Sequence, residues 1–308
     1  MLVIGSRGSE LALAQARWIQ GRMEQLFPSL ETSIRIIKTS GDTDTTSSIR
    51  AGASIGVFVK EIERSLLDNE IDLAVHSMKD LPTAMQPELT IAAIPEREDP
   101  RDALISGDGS LFSEMRPGSR IGTGSLRRQA QLRALRPDIE VMDIRGNVNT
   151  RLRKLDEKSC NAVVLACAGL NRLNFHHRIT EKFTLDQVLP APGQGALAVQ
   201  CRTNDPTTLS MASALNDPGT SVAVRSERTF LERIGGGCNI PAAAYASMEN
   251  GQMRITGLII HPGGGTVIKR TLEGKTEDAS QTARTLADLI LGSGGRSILD
   301  ALETDGIG

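Results

Sequence analysis

The chain opens with an aliphatic run, "MLVIGS", that predicts a strand, and the period then changes. Leu11, Ile19, Met23, Leu26 and Phe27 fall on one stripe of a helix expected from about Glu10 to Phe27, with Ser9 placed to cap it. "TSIRIIKTS" predicts a second strand. Sixteen residues without periodicity follow, "GDTDTTSSIRAGASIG", and a loop of that length is usually functional or mobile, so the segment 42–57, from Asp42 to the edge of Phe58, is expected to move. Phe58, Ile62 and Leu66 mark the next helix, "IDLAVHSM" a buried strand, and "LTIAAIP" a continuation of the same domain. After the charged hinge "EREDPRD" the pattern restarts as "ALIS", "RIGTG", helix, "IEVMDI", helix, "NAVVLACAG", helix. This alternation predicts an α/β protein with largely parallel sheets covered on both faces.

At 308 residues the chain is longer than most single domains, so two or three are expected. No apolar run approaches the roughly 20 residues that span a bilayer. The N-terminus lacks the basic-then-apolar order of a secretory signal, and a cytoplasmic location is expected. Cys160, Cys167, Cys201 and Cys238 form no CxxC pair and no Cys/His spacing suited to zinc, which points to reduced thiols and no metal. A net charge of −2 argues against bulk binding to nucleic acid or membrane.

The basic residues change the picture. Only 8 of the 35 are Lys and 27 are Arg, whose planar fork pairs two-pronged with carboxylate or phosphate. Between Arg116 and Lys154 ten basic residues face three acids, Asp138, Glu140 and Asp143. A solvated basic face is one reading. Position favours another, because "GTGSLRRQAQLRAL", "DIRGNVNTRLRKL" and "ACAGLNRL" each follow a strand and open a helix, presenting Arg127 and Arg128, Arg145 and Arg151, and Arg172. Ligands of open α/β sheets bind at the carboxyl ends of strands, where helix N-termini favour anions. Cations there oppose the helix dipole, so their removal is expected to leave folding unharmed. Neither GxxxxGK[ST] nor a GxGxxG opening a helix after a strand is present for a polyphosphate.

"AVHSMKDLPT" puts His76, Ser77, Lys79 and Asp80 at the matching strand end of the first domain, with Pro82 preventing immediate helix growth. Alone, the segment favours a turn aspartate paired to Lys79 over one that looks into the cleft, and a hydrogen-bonded structural histidine over a base. "RIGGGCNIPAAAYA" describes a tight loop in which Cys238 is either a free thiol or a nucleophile or attachment point, whereas Cys167 and Cys201 sit in core-like runs.

"GSRGSELALAQ", "FVKEIE", "DLAVHSMKDLPT", "GTGSLRRQAQL", "RGNVNTRLRKL", "LPAPGQGALAVQCR" and "ERTFLERIGGGCNIP", in this order, resemble the porphobilinogen deaminase (hydroxymethylbilane synthase) family over essentially the whole chain. The resemblance implies two doubly wound lobes like those of type II periplasmic binding proteins around a cleft, and a smaller C-terminal α/β domain. Domain one would be 1–95 with 196–214, domain two 101–190, and domain three 218–308. The implied activity joins four porphobilinogen units head to tail into hydroxymethylbilane with loss of ammonia, for tetrapyrrole synthesis, by a cytoplasmic monomer whose product passes to uroporphyrinogen-III synthase.

Carried over residue by residue, the resemblance gives Asp80 as the catalytic carboxylate and Cys238 as the thioether anchor of a dipyrromethane cofactor. Arg7, Ser9, Gln15, Ser77, Lys79, Thr123, Ser125, Arg127, Arg128, Arg145, Arg151, Arg172 and Gln194 become the binding set, and Asp42 and Phe58 mark the mobile loop. Each pyrrole carries an acetate and a propionate, which explains the arginines. Ile55 stands where the family usually has a lysine, and Cys238-Asn239-Ile240-Pro241 replaces Cys-Gln-Val-Pro. A non-catalytic anion-binding protein of the same fold would explain the arginines but not Cys238 in its glycine loop. A phosphoribosyltransferase would want a phosphate loop and magnesium-binding carboxylates, which the sequence lacks.

Overall fold

The computed structural model describes residues 1–38, 55–236 and 240–304, with only the backbone described for 55–58 and 303–304. Along the chain run β1 (Leu2–Arg7), α1 (Glu10–Leu26), β2 (Thr32–Ile37), α2 (Ile55–Leu67), β3 (Leu73–Ser77) and β4 (Leu89–Ala93). Then come β5 (Asp102–Ser106), β6 (Arg120–Gly122), α3 (Leu126–Leu135), β7 (Glu140–Met142), α4 (Val148–Asp156), β8 (Ala162–Ala166), α5 (Cys167–Arg172) and β9 (Glu181–Lys182). β10 (Leu197–Arg202), α6 (Pro206–Ser213) and α7 (Pro218–Arg233) follow, and the chain ends in β11 (Ala242–Glu249), β12 (Gln252–Ile260), β13 (Val267–Lys275), α8 (Ala279–Ile290) and α9 (Arg296–Thr304). Two compact units result: Met1–Glu98 with Ala196–Val222, and Asp99–Gly195 with Ala223–Gly308.

Each unit contains a five-stranded sheet built to one plan, ordered β2-β1-β3-β10-β4 in the first and β7-β6-β8-β5-β9 in the second. β1 pairs parallel with β2 and β3, and β6 with β7 and β8. The fourth strand breaks the expected parallel run. β10 lies antiparallel to both neighbours, as β5 does in the other sheet. In each case the inverted strand adjoins the boundary where the chain passes from one unit to the other, so it enters its sheet from the opposite end. The result is the pair of doubly wound lobes expected from the sequence, each covered on both faces.

The side-chain period of two divides each core. Leu73 and Val75 of β3 face α1 with Ile4, Ile19, Met23 and Val199, while Ala74 faces α2 with Ile62, Leu66 and Ile71. In the second sheet Leu104, Ile121, Leu132 and Val164 fill one face, and Ala103, Ile105, Leu152, Val163 and Leu165 the other. α1 departs from its predicted stripe. Gln15 and Ala16 are buried whereas Leu26 is 43% exposed, and the helix stops one residue early with Phe27 as its C-cap. Ser9 caps it as predicted, its Oγ accepting from the Ala12 N–H at 3.3 Å.

The C-terminal strands form an antiparallel three-stranded sheet, β11-β12-β13. Ala243, Leu258 and Ile260 bury against Ala130 of α3 and Leu189, and Arg133 of α3 donates to the Pro262 carbonyl at 3.0 Å. Glu227, fully buried on α7, accepts from the N–H groups of Gly193 and Ala246 at 2.6 and 2.8 Å, joining the loop after β9 to β11. Among the described residues no helix is long and apolar enough to cross a membrane.

The β12–β13 turn gives a direct test of this packing. Gly264 has φ +80°, and a Cβ there would lie 2.7 Å from the Ala134 nitrogen and 3.0 Å from the Ala130 carbonyl of α3. Left-handed strain and backbone overlap should together make Gly264→Ala cost on the order of 3 kcal/mol. Gly265→Ala, whose Cβ would meet open space, is the control and should change little. Equilibrium denaturation of both checks this, and equal stability of the two would show that the turn does not bear on α3.

Candidate functional site

In the first unit the carboxyl ends of β1 and β3 border a cavity of about 200 Å³. Five of the residues singled out from sequence line it: Arg7, Ser9, Gln15, Ser77 and Asp80. Leu11, Ala12, Val59 and Val75 supply an apolar wall, and His76 completes the lining. Ser9 is there because it caps α1, and Gln15 because one turn and a half of that helix brings it under β3, where its Nε2 donates to Ser77 Oγ at 2.8 Å. Asp80 ends a single 3₁₀ turn, Met78–Asp80, and is exposed at the edge. Lys79 is half-buried on the same turn but is not among the lining residues.

His76 is 7% exposed and its Nε2 lies 2.9 Å from Gln200 Oε1. Burial, reinforced by the charge of Arg7 and only partly offset by the Gln200 hydrogen bond, lowers its pKa to about 4. The structural, hydrogen-bonded reading of this histidine is therefore the one observed.

In the second unit Thr123, Ser125, Arg145 and Arg151 follow the carboxyl ends of β6 and β7, whereas Arg172, expected to open its helix, is the last residue of α5. Ser125 caps α3, its Oγ accepting from the Arg128 N–H at 3.5 Å, and Asn147 caps α4 by accepting from Thr150 at 2.8 Å. Thr123, fully buried, donates its N–H to the Met142 carbonyl, and its Oγ1 accepts from the Ser125 N–H. Arg145 is exposed and pairs with Asp143 at 2.9 Å. Arg151 donates to the Gly146 carbonyl, and Arg172 to the Gly195 carbonyl, both at 2.8 Å. Burial and the charge of Arg128 lower the Arg151 pKa to about 10, against the opposing pull of Asp143. A cation under such stress is relieved by an incoming anion.

Arg127 and Arg128 behave differently from the expectation. Both are buried, at 4% and 5% exposure, and both turn onto one carboxylate, Asp102, which is fully buried. Arg127 Nη1 meets Asp102 Oδ2 at 2.8 Å, and Arg128 Nη2 and Nε meet Oδ1 at 2.7 and 3.0 Å. Gln194 Nε2 adds a bond to Oδ1 at 2.9 Å, and the Leu189 carbonyl accepts from Arg127 Nη1 at 2.7 Å. Burial pushes the Asp102 carboxyl up, but the two guanidinium charges and their hydrogen bonds outweigh it and hold it well below the carboxylate range. The helix-dipole penalty is thus answered locally, and these arginines are structural as well as basic.

Asp102 escaped the sequence reading because it closes the charged stretch "EREDPRD", where it looked like a hinge acid. Its signal was position: it is the first residue of β5, directly before an aliphatic run. Gln200 and Glu63, which stand behind His76, carry no local signal. Cys160, Cys167 and Cys201 are buried free thiols, and burial pushes Cys167 up to about 12 and Cys201 to about 11, as inert core residues require. Asp42 and Cys238 lie outside the described residues, as does the expected mobile segment up to residue 54, and of Phe58 only the backbone, in α2, is described.

Comparison with known proteins gives two family matches. Residues 2–210 match the "Porphobilinogen deaminase, dipyromethane cofactor binding domain" and residues 221–292 the "Porphobilinogen deaminase, C-terminal domain". The chain is 47% identical to the porphobilinogen deaminase of Syntrophotalea carbinolica, over 98% of this chain and 96% of that protein. It is 45% identical to that of Pelobacter propionicus, over 97% and 96%. A solved structure, the alkanesulfonate-binding protein of Xanthomonas axonopodis, is similar at 16% identity over 76% of this chain and 75% of that one, with a TM-score of 0.37.

The Asp102 triad orders three substitutions. Asp102→Asn strands two buried guanidinium groups and should cost about 3–5 kcal/mol of stability. Arg127→Leu and Arg128→Leu each leave a neutral pair behind and should cost less, about 1–3 kcal/mol. Because the folded-state pKa is depressed, this stability is present above the ordinary carboxylate range and is lost only as pH falls through the depressed value. Denaturant titrations at neutral pH check the order, and an Asp102→Asn protein as stable as wild type would contradict it.

Proposed function

The chain belongs to the porphobilinogen deaminase family, and we propose from that premise how its residues divide the work. As a member it is a transferase that joins porphobilinogen units head to tail into the linear tetrapyrrole hydroxymethylbilane, and it uses a dipyrromethane cofactor. The observation that carries the assignment of roles is the cavity of the first unit, where one carboxylate, one guanidinium and four hydrogen-bonding side chains face an apolar wall.

In this reading the wall of Leu11, Ala12, Val59 and Val75 takes the pyrrole ring, and Arg7 pairs with one of its carboxylate arms while Ser9, Gln15 and Ser77 fix its orientation. Loss of ammonia leaves positive charge on the substrate's ring and methylene carbon. The Asp80 carboxylate at the cavity's edge stabilises that cation and exchanges the pyrrole N–H proton, with no change of its own covalent state.

The donor set at the β6, β7 and β8 ends suits a ligand bearing several carboxylates: capped helix N-termini, an exposed arginine and one depressed by burial. Thr123, Ser125, Arg145, Arg151 and Arg172 would hold the acetate and propionate arms of the cofactor and growing chain, and Lys79 is proposed as a further carboxylate-binding residue of the first unit. Arg127, Arg128 and Gln194 act as a fixed frame of one net positive charge around Asp102. Cys238, in the proposed attachment domain 218–308, forms the thioether. When bound, the dipyrromethane supplies the nucleophilic pyrrole carbon that accepts the first substrate unit. The enzyme is further proposed to act as a cytoplasmic monomer and to deliver its product to a uroporphyrinogen-III synthase.

Two variants test this reading. Asp80→Asn keeps the shape and removes the charge, so turnover should fall by at least about 100-fold, while intact mass still shows the cofactor. Retention of a tenth of the wild-type rate would remove Asp80 from the mechanism. Cys238→Ala should lose both the mass of two pyrrole units and the activity, whereas replacing Cys160, Cys167 or Cys201 should leave the adduct in place. An adduct persisting on Cys238→Ala would move the attachment point.

A further inference from the structure

Behind the Asp80 cavity runs a buried polar chain that the assigned roles do not use. His76 Nε2 meets Gln200 Oε1 at 2.9 Å, Gln200 Nε2 donates to Glu63 Oε1 at 2.9 Å, and Gln86 Nε2 donates to Glu63 Oε2 at 3.2 Å. The four residues come from β3, β10, α2 and the segment before β4, and Gln200 is fully buried while His76 and Glu63 are each 7% exposed. Such a chain has a direction. The Glu63 carboxyl accepts on both oxygens, so the Gln200 amide turns its NH₂ toward Glu63 and its carbonyl toward His76. An acceptor at Nε2 obliges the imidazole to carry its proton there and to leave Nδ1 bare.

We propose that His76 is a positioning residue of the Asp80 pocket, fixed by Gln200 and Glu63 as the neutral Nε2–H tautomer so that the cavity's charge is set by Arg7 and Asp80 alone. This rests on the reading of Asp80 given above. The charged groups around the ring are Arg7 at the end of β1, Glu63 through Gln200 from α2 and β10, and Asp80, which lines the same cavity from the turn after β3; opposite the ring on β10 stands Ala198, which carries no charge. A protonated His76 would set a second cation beside Arg7 and offset the Asp80 charge needed when ammonia leaves. Placing an amide between Glu63 and His76 avoids this. A carboxylate in direct contact would favour the imidazolium, whereas Gln200 transmits orientation without charge. The low pKa of His76 agrees with that arrangement.

The paired exchange Glu63→Gln with Gln200→Glu moves the carboxylate one place toward His76 and conserves the number of hydrogen-bonding groups. In the holoenzyme, ¹⁵N NMR of histidine side chains should show wild-type His76 neutral and protonated at Nε2 at pH about 6, with the resonance assigned by its loss in His76→Asn. In the exchange variant His76 should become imidazolium in that range. Its kcat/KM should then fall at least about tenfold between pH 8.5 and pH 6 relative to wild type, because activity is lost as pH falls through the raised pKa. A merely structural histidine would tolerate the exchange at every pH. A charged or Nδ1-protonated His76 in wild type overturns the proposal, even if the exchange variant does not fold. So does an exchange variant with charged His76 and the wild-type pH profile. Asp80→Asn separates the two layers, since full turnover there with an unaltered His76 spectrum would overturn the reading of Asp80 on which the proposal stands.

Discussion

The buried carboxylate of Asp102 is the interaction on which the second lobe depends. Two adjacent arginines in the first turn of α3 would repel each other and oppose the helix dipole. With Asp102 between them they become a hydrogen-bonded frame that ties β5 to α3, and Gln194 and the Leu189 carbonyl carry the frame into the loop after β9. Burying three charges is costly, and it is sustained only because nearly every donor has a partner. What the frame secures is position. The helix whose N-terminus it fixes is also the one that Arg133 and Gly264 hold against the C-terminal sheet.

The two sheets show how one topology serves two chemistries. In both, the first and third strands end side by side because the order is 2-1-3 before the inverted strand, so the loops at their carboxyl ends share an edge. In the first lobe that edge carries Arg7, Ser9, Ser77 and Asp80, a mixed-charge cavity of a size for one small ring. In the second it carries Ser125, Arg145 and Arg151 beside the buried Asp102 frame, the donors proposed above for an anionic ligand. The first suits a reacting cation, and the second suits carboxylate arms.

Much of this was legible in the sequence because the signals were local. Each βα junction announces itself where an aliphatic run meets a capping residue, as at Ser9 and Ser125, and the chemistry-bearing residues cluster at those junctions. Cys238 stood out from the other cysteines by its glycines, and the three others proved to be core. Non-local pairings were illegible. Nothing near "ALAVQCR" says that β10 enters the first sheet inverted, and nothing near Asp102 says that it will meet residues 25 and 26 positions away. The burial of Gln15 arises in the same way, from Ser77 across the cavity rather than from α1's own stripe.

A double-mutant cycle between Asp102→Asn and Arg127→Leu, repeated with Arg128→Leu, tests the central claim most directly. If one carboxylate organises both arginines, the losses in each cycle are non-additive, with a coupling energy of about 2 kcal/mol or more, because each guanidinium is a liability once Asp102 is gone. Losses that simply add in both cycles would contradict it, and would make each arginine independent of Asp102.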